Sequence, residues 1–300
     1  MHHPHHRCAR VLLALVCLSV LTTAALAAMP RADNLELTTY RGVSVEGKLT
    51  GASDDGVLLF EITTPPGKGE IVLEEDGSFV YTPRDGKKGK DYFGYRVTDG
   101  TGQVSEEATV IITIEKQKTK VTYSDMDGNG AEYAALRLAE AGLYTGSCTG
   151  GQYVFSPEES VSRGEFLAMC MELSGRELLS GVRSTGFADD GAIPAWVKPY
   201  VSTALLDNVI SGYVQAGGAV FDAAAPVSRA EAAVILSNAL GISDLTPAGG
   251  VTADAAPVWA QQATANLQAL DLMEASPSLE GSLTRAECAQ MLLGAMDYTA

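Results

Sequence analysis

A short motif recurs three times in the second half of the chain, and this recurrence limits the possible folds more than any other feature. Each copy reads apolar residue, Ser or Thr, Arg, small residue, Glu and then an apolar run. The copies are VSRGEFLAMC from 161, VSRAEAAVIL from 227 and LTRAECAQML from 283. Self-similarity of this kind indicates a fold built from repeated units that pack against each other.

A second mark opens each unit, a short motif ending in aspartate: YSD from 123, FAD from 187 and TAD from 252. Between the two marks lies a segment with apolar residues at helical spacing, such as EYAALRLAEAGLYTG and VKPYVSTALLDNVISG. Each unit is therefore predicted to be two helices joined by a loop, and it is too small to bury a core alone. The predicted units cover residues 121–183, 184–247 and 248–300.

The first 27 residues indicate a targeting segment. The basic, His-rich start MHHPHHRCAR precedes the apolar run VLLALVCLSVLTTAALA, and Ala25-Leu26-Ala27 supplies small residues for cleavage. The apolar run is short for a membrane span. We expect residues 1–27 to be a signal peptide and the mature chain to be exported.

Removal of that segment would change the available chemistry. All four histidines lie within it, and so do two of the 21 basic residues but none of the 37 acidic ones, so the net charge would move from −16 to −18. Histidine-dependent catalysis and histidine metal sites are then excluded. An acidic chain without a long basic run argues against nucleic acid and membrane surfaces as partners.

Three cysteines would remain, Cys148, Cys170 and Cys288. An odd number without a CxxC pair describes neither a disulfide framework nor a zinc site, and the last two lie in apolar runs typical of buried thiols. The segment DMDGNG from 125 satisfies the first six positions of an EF-hand loop, but Leu136 stands where the bidentate glutamate belongs. We predict no metal and no cofactor.

The first half has a different pattern. From 34 to 116, short runs of alternating apolar and polar residues are separated by turn residues, as in SFVYTP before RDGKKGK. About seven such strands predict an all-β sandwich of two antiparallel sheets over residues 33–116. Aromatic residues on one strand face, such as Phe93 and Tyr95, are expected to fill its core. Residues 117–120 are expected to be a linker.

Within this half, EDGSFVYTPRDGKKGKDYFGYRVTDGTGQVSEEATVIITI resembles the C-terminal part of bacterial immunoglobulin-like or cadherin-like surface modules. The resemblance implies an immunoglobulin-like sandwich that serves as a spacer or an adhesive unit. The calcium-binding motif of true cadherins is absent, so the resemblance implies no metal.

The repeats resemble the S-layer homology repeat over about residues 121–300. FAD from 187, Trp196, the turn NVISG, a Phe before a proline, and VSRAE occur in that family's order. The resemblance implies an all-α, pseudo-threefold module that binds secondary cell-wall polysaccharide non-covalently, often through a pyruvate ketal, on Gram-positive surfaces. Unit one carries Glu132-Tyr133 in place of the tryptophan, and unit three lacks the glycine turn and the Phe. We therefore expect the strongest sites in units one and two.

Most of the recurring motif has a structural explanation. Its hydroxyl residue stands three positions before its glutamate, which is the pattern of a helix capping box, and the apolar run predicts a buried helix face. The hydroxyl–glutamate pairs are Ser162 with Glu165, Ser228 with Glu231, and Thr284 with Glu287.

The arginine needs a separate explanation, because a cation at the first position of a helix is typically disfavoured by ~0.3–1 kcal/mol. In one interpretation the arginine pairs with a carboxylate of its own or a neighbouring unit, such as Asp125, Asp189 or Asp254. In the other, the arginine and the free amides of the helix start hold an anion such as a ketal-linked pyruvate carboxylate. The family resemblance favours the second.

Four further residues have a structural and a functional interpretation. Trp196 and Trp259 can anchor a helix start by packing, or can stack on sugar rings. Gly146 and Gly212 can permit a tight loop after the first helix, which can also expose backbone amides to a ligand. The candidate glycan-binding residues are Arg163, Arg229, Arg285, Asp125, Asp189, Asp254, Trp196, Trp259, Gly146 and Gly212.

The leading functional hypothesis is a monomeric cell-surface protein whose repeats bind a carboxylate-bearing wall polysaccharide and whose β-domain is a spacer or interaction module. An alternative is an adhesin, in which the β-domain binds a protein of a host or of a neighbouring cell. A wall-modifying enzyme with paired carboxylates is the third hypothesis. Because no acidic pair stands in a recognisable catalytic loop, we expect no enzyme activity.

Overall fold

A computed structural model of the chain describes residues 28–243, 256–273 and 278–299. The predicted signal peptide and Asp254 lie outside these residues. The N-terminal part contains nine strands: β1 (Arg31–Ala32), β2 (Leu35–Tyr40), β3 (Val45–Lys48), β4 (Gly51–Ala52), β5 (Leu59–Thr64), β6 (Gly69–Leu73), β7 (Ser78–Pro83), β8 (Gly89–Thr98) and β9 (Ala108–Glu115).

Seven of these strands form two sheets, with the order β2-β9-β8-β5 in one and β3-β7-β6 in the other, while β1 pairs with β4. The two sheets confirm the all-β prediction for this part of the chain. One detail of the prediction is wrong, because β2 runs parallel to β9 and Leu35 pairs with Val110. Parallel pairing needs a long connection, and here the rest of the sandwich lies between the two strands.

Aromatic residues fill the sandwich core. Phe79 and Tyr81 on β7, and Phe93 and Tyr95 on β8, are almost completely buried, as the alternation of each strand predicts. The Phe79 and Phe93 rings meet edge to face with centroids 5.4 Å apart. The Tyr81 hydroxyl donates to the buried Asp91 carboxylate at 2.8 Å, so the polar end of this ring is satisfied as well.

The remaining part is mainly helical. Its elements are α1 (Glu132–Ala141), β10 (Ser147–Thr149), β11 (Gln152–Val154), α2 (Arg163–Leu173), α3 (Lys198–Leu206), β12 (Tyr213–Gln215), β13 (Gly218–Val220), α4 (Arg229–Leu240), α5 (Gln261–Ala269) and α6 (Arg285–Thr299). They form three successive helix pairs: α1 with α2 in unit 1, α3 with α4 in unit 2, and α5 with α6 in unit 3. None of the described helices combines the length and the apolar character that a membrane span requires.

Two short hairpins were not predicted. β10 pairs with β11 in unit 1, and β12 pairs with β13 in unit 2. Each hairpin occupies the loop between the two helices of its unit. In unit 1 the turn is Gly150-Gly151, and both residues have positive φ, which is what a two-residue hairpin turn favours. The double glycine was therefore the sequence signal for this element.

The three units close into a ring at the apolar residue that begins each recurring motif. The amide of Val161 donates to the carbonyl of Leu283 at 3.0 Å, that of Leu283 to Val227 at 2.8 Å, and that of Val227 to Val161 at 2.9 Å. All three side chains are buried. This triangle of hydrogen bonds gives the helical part its approximate threefold arrangement, and it places every helix start of the recurring motif beside the next unit.

Unit 1 also contacts the β-sandwich. The amide of Glu46 on β3 donates to the carbonyl of Gly130 at 3.0 Å, and the amide of Tyr133 on α1 donates to the carbonyl of Ser44 at 3.3 Å. The rings of Tyr40 and Tyr133 pack edge to face with centroids 5.0 Å apart. The start of α1 thus covers the outer edge of β3, which would otherwise present unpaired backbone groups. We call this contact the junction.

Candidate functional site

The arginine of each recurring motif reaches an acidic side chain of the following unit. We call these contacts joint 1–2, joint 2–3 and joint 3–1. They are formed by Arg163 with Glu231 (3.0 Å), Arg229 with Glu287, and Arg285 with Glu159 (2.5 Å). The interpretation of the arginine as an ion-pairing residue between units therefore holds in the structure, although its acidic partners are glutamates instead of the aspartates that the sequence suggested.

The capping boxes are present as the sequence predicts. The Ser162 hydroxyl accepts from the Glu165 amide, and the Glu165 side chain accepts from the Ser162 amide in return. Ser228 and Glu231 form the same reciprocal pair in unit 2. Thr284 and Glu287 do so in unit 3, at 3.2 and 2.8 Å. Glu231 and Glu287 thus serve both their own helix and the arginine of the preceding unit.

The helix-start amides are not free, which corrects part of the anion-binding interpretation. In unit 1 the Arg163 amide donates to the Ala225 carbonyl and the Gly164 amide to the Ala223 carbonyl, both at 2.9 Å. The third amide, that of Glu165, is taken by the cap. The reason is that the neighbouring unit folds its loop onto the helix start. An anionic ligand at this place would therefore meet the guanidinium without help from the backbone.

The opening aspartates hold the loop that precedes the recurring motif. Asp125 accepts from the amides of Phe155 and Ser156 at 2.9 and 2.7 Å. Asp189 accepts from Phe221 and Asp222 in the same way. Ser156 and Asp222 have φ near +56°, so the aspartate stabilises a strained turn. These aspartates position the phenylalanine carbonyls that the arginines contact.

Joint 1–2 is buried, and its guanidinium contacts a carboxylate, a carbonyl and an aromatic ring. The Arg163 side chain is 6% exposed, and its Nε donates to the Phe221 carbonyl at 3.1 Å. Its guanidinium also lies 4.5 Å from the centre of the Tyr213 ring. Burial raises the pKa of Glu231, but the Tyr213 hydroxyl, the Ser228 amide and Arg163 outweigh it, and the pKa lies below its ordinary value. The Glu231 carboxylate is therefore held in its charged form.

Joint 3–1 has the same parts in a more open arrangement. Arg285 Nη1 donates to Glu159 and, at 3.4 Å, to the Phe155 carbonyl, and the guanidinium lies 5.7 Å from the centre of the Tyr144 ring. The Glu159 side chain is 64% exposed, against 17% for Glu231. A small cavity borders this joint, lined in part by Tyr144, Glu165 and Cys288. Because solvent screens the acidic partner, this pair is weak.

Joint 2–3 lacks the aromatic and carbonyl contacts among the described residues. Arg229 donates from both Nε, at 3.1 Å, and Nη2 to Glu287 Oε1. The guanidinium passes so close to Gly281 that a Cβ there would lie 2.5 Å from its Nη1. Unit 3 has no phenylalanine before its motif, as the sequence shows. The missing phenylalanine of unit 3 therefore affects joint 2–3. The arginine of unit 3, in contrast, reaches the loop of unit 1, which has its phenylalanine.

The two tryptophans are exposed. Trp196 and Trp259 are 56% and 61% exposed, and the residues that follow them, Val197 and Ala260, take the buried positions. Trp196 meets Tyr200 edge to face with centroids 6.4 Å apart. Packing therefore does not account for most of the surface of either ring, and both rings remain available for stacking on a sugar.

The two glycines are required by the backbone. Gly146 and Gly212 have φ of +69° and +71°, and a Cβ on either would lie within about 2.6 Å of a carbonyl oxygen on the following hairpin strand, that of Val154 or Val220. They allow the tight turn that the sequence predicts. Asp254, the third candidate aspartate, lies outside the described residues.

The structure supplies the site's aromatic residues and partner acids, which the sequence did not identify. Tyr213 begins β12, Tyr144 lies in the loop between α1 and β10, and Glu159 comes from the loop before α2. In the EF-hand-like segment the Asn129 side chain accepts from the Ala131 amide, so it is used inside the loop. Within the described ranges no group of three potential metal ligands occurs. Cys170 and Cys288 are buried free thiols, as predicted, and Cys148 is exposed.

Comparison with known proteins gives two kinds of similarity. Residues 27–116 match the family described as the bacterial cadherin-like domain. The chain is also 30% identical over 132 residues to the Surface-layer 125 kDa protein of Lysinibacillus sphaericus, an overlap of 42% of this chain. The chain spans about a tenth of the length of that protein.

Among solved structures, the chain is similar to the SrpA adhesin of Streptococcus sanguinis at 18% identity, covering 33% of this chain and 61% of that chain with a TM-score of 0.24. It is also similar to the PKD domain of human KIAA0319 at 15% identity, covering 31% and 88% of the two chains with a TM-score of 0.23.

Proposed function

We propose that this chain is a cell-surface protein that attaches to a carboxylate-bearing polysaccharide of the cell wall through the joints between its helical units. The likeness of its N-terminal part to bacterial cadherin-like domains and the overlap with a surface-layer protein support the location. The repeat pattern that resembles S-layer homology repeats supports the wall polysaccharide as ligand. The role is one of binding, and the β-sandwich serves as spacer or interaction module.

The observation that carries this proposal is the exposed glutamate of joint 3–1. Glu159 places a carboxylate on a guanidinium whose other contacts are a carbonyl and an aromatic ring. A ligand carboxylate can replace it, because the planar Arg285 guanidinium can bind any carboxylate and the exposed Glu159 loses little on release to water. The Tyr144 ring beside the guanidinium adds a face for a sugar.

The three joints differ in how readily a ligand carboxylate would displace the glutamate from the arginine. In joint 1–2 the acid is almost buried and also accepts from Tyr213, so displacement would leave polar groups unpaired. In joint 2–3 the acid is half-exposed but the aromatic and carbonyl contacts are missing. We therefore propose joint 3–1 as the main site and joint 1–2 as a structural contact, which reverses the expectation from the sequence.

Titration calorimetry with purified wall polysaccharide tests the proposal. The polymer is used with its pyruvate ketals intact and after their removal, against the wild type and Arg285→Gln. We expect loss of the ketal or of Arg285 to weaken binding about tenfold or more, as for a lost hydrogen bond to a charged group. Glu159→Gln should strengthen binding, because it removes the internal competitor.

The matched control is Arg84→Gln, which removes an arginine of the β-sandwich that lies 3.5 Å from an exposed glutamate, Glu70. It should bind as the wild type does. Equal affinity of the wild type for both polymers would contradict a carboxylate ligand. An unchanged affinity of Arg285→Gln would remove joint 3–1 from the site.

A further inference from the structure

A buried carboxyl group lies at the junction between the β-sandwich and unit 1. Glu132 is the first residue of α1 and is 9% exposed. The backbone amide of Ser44, in the β-sandwich, lies close enough to its carboxyl group to favour the charged form. The backbone of the next residue, Tyr133, donates to the carbonyl of the same Ser44. Glu132 is therefore enclosed by the surfaces that hold the two parts together.

The surroundings of Glu132 oppose its negative charge. Burial is the main cause and the nearby Asp127 carboxylate adds to it, while the Ser44 amide acts in the opposite direction, and together they raise the pKa of Glu132 to about 7. Its own loop and helix also carry Asp127, Arg137 and Glu140. The charged groups on the elements packed against it are Glu46 and Lys48 on β3, and Arg285, Glu287 and Asp297 on α6. Arg137 is directed to Asp297 and to the Tyr133 hydroxyl.

We infer that the junction is a pH-sensitive latch, closed while Glu132 is protonated and loosened when Glu132 ionises. A neutral carboxyl group fits the enclosed position because it carries no charge that burial would strip of water. A carboxylate there lacks a cationic partner at hydrogen-bonding distance among the described residues, so it gains by separating the two surfaces and reaching water. The latch would set whether the β-sandwich keeps a fixed orientation on the helical part.

The direction of the pH effect follows from the raised pKa. The closed junction binds a proton more tightly than the open one, where Glu132 titrates near its ordinary value of 4.5. The stabilisation of the closed state is therefore complete below pH 4.5 and is lost as the pH rises to about 7. Mild acid closes the latch, and neutral to alkaline solution opens it.

A cleft of about 260 Å³ lies beside the junction, lined by residues that include Glu36, Glu46, Arg137 and Gln290. Glu132 is not part of this lining. The cleft is bounded by both the β-sandwich and the helical part, so its width changes when the junction loosens. The latch therefore controls the shape of this cleft together with the relative orientation of the two parts.

Amide hydrogen exchange on the full chain tests the latch. The Glu46 and Tyr133 amides donate across the junction, so their protection reports on its opening. After correction for the intrinsic exchange rate, we expect their protection in the wild type to fall about tenfold to a hundredfold from pH 5 to pH 8. Amides between β8 and β9 serve as an internal reference and should keep their protection.

Three variants assign the effect to Glu132. Glu132→Gln keeps a neutral side chain and should show high protection at every pH. Asp127→Asn removes the opposing charge and should reduce the fall without abolishing it. The matched control is Glu140→Gln, since Glu140 is another junction carboxylate, which accepts from the Tyr40 hydroxyl at 2.7 Å and from the Lys118 amide. It should keep the wild-type pH dependence.

The latch is overturned if the two amides of the wild type keep constant protection from pH 5 to pH 8, or if Glu132→Gln keeps the wild-type fall. If Glu132→Gln does not fold, the Asp127→Asn variant is the test. A decrease in amide protection from pH 5 to pH 8 as large as that of the wild type would then overturn the inference. None of these measurements involves the polysaccharide, so their outcome is independent of the proposed function.

Discussion

Joints 1–2 and 3–1 are made from the same sequence motif but differ in burial. Both bring an arginine at a helix start to a phenylalanine carbonyl, a tyrosine ring and a glutamate of the next unit. In joint 1–2 the Arg163 pair is enclosed, whereas in joint 3–1 the acid, Glu159, lies largely in water. A repeated motif thus fixes the position of a charge, while the surrounding loop decides whether that charge holds the fold or is open to a ligand.

The largest expected effect is the loss of stability when the arginine of joint 1–2 is removed. Arg163→Ala leaves the Glu231 carboxylate and the Phe221 carbonyl without their partner in a buried place, and we expect it to lower the free energy of unfolding by about 3–5 kcal/mol. Denaturant unfolding followed by circular dichroism measures this change. A loss below that found for Arg285→Ala would show that burial does not distinguish the joints.

A smaller effect is expected from acid. The pKa of Glu231 is lowered in the folded state, so its contribution to stability is present above the ordinary glutamate pKa of 4.5 and is lost as the pH falls below it. The melting temperature of the wild type should therefore fall below pH 4.5. The melting temperature of Glu231→Gln should depend less steeply on pH. The matched variant Glu159→Gln should keep the wild-type profile, and equal flattening by both variants would contradict the comparison.

The capping boxes should be alike in units 1 and 2, because they depend on local geometry alone. Ser162→Ala and Ser228→Ala each remove one hydroxyl from a reciprocal cap, and each should cost about 1 kcal/mol in denaturant unfolding. Ser162→Thr and Ser228→Thr are the controls, because threonine can also cap. A large difference between the two alanine variants would mean that the cap also supports its joint.

The smallest effect is expected at joint 3–1. Arg285→Ala breaks a pair whose acid is mostly solvated, so the loss in unfolding free energy should be ~0.2–1 kcal/mol. The same variant should lose polysaccharide binding in the calorimetric test described above. A large loss of stability would show that this joint is also structural, and the proposed division of roles would then fail.

The elements that follow from local rules could be predicted from the sequence. The caps at Ser162 and Ser228, the buried faces of α2 and α4, and the alternation of β7 and β8 each depend on residues a few positions apart. The Gly150-Gly151 hairpin was also within reach, since two adjacent glycines between short strands favour such a turn. Its strands are too short for their alternation to be recognised.

The partners of the arginines could not be predicted in this way. Arg163 contacts Glu231 and Arg285 contacts Glu159, and both pairs depend on how one unit folds onto another. The aspartates looked equally suitable as charged partners, but the backbone amides of Phe155 and Phe221 take Asp125 and Asp189. The exposure that separates joint 3–1 from joint 1–2 is a property of the assembled ring and has no signature within a single motif.

The triangle of backbone hydrogen bonds between Val161, Val227 and Leu283 also closes the three units on each other. Each of these residues uses its donor on one neighbour and its acceptor on the other, so a fourth unit would find no vacant position. An open solenoid can be lengthened one repeat at a time and needs capping repeats at its ends. A closed trio has no ends to cap.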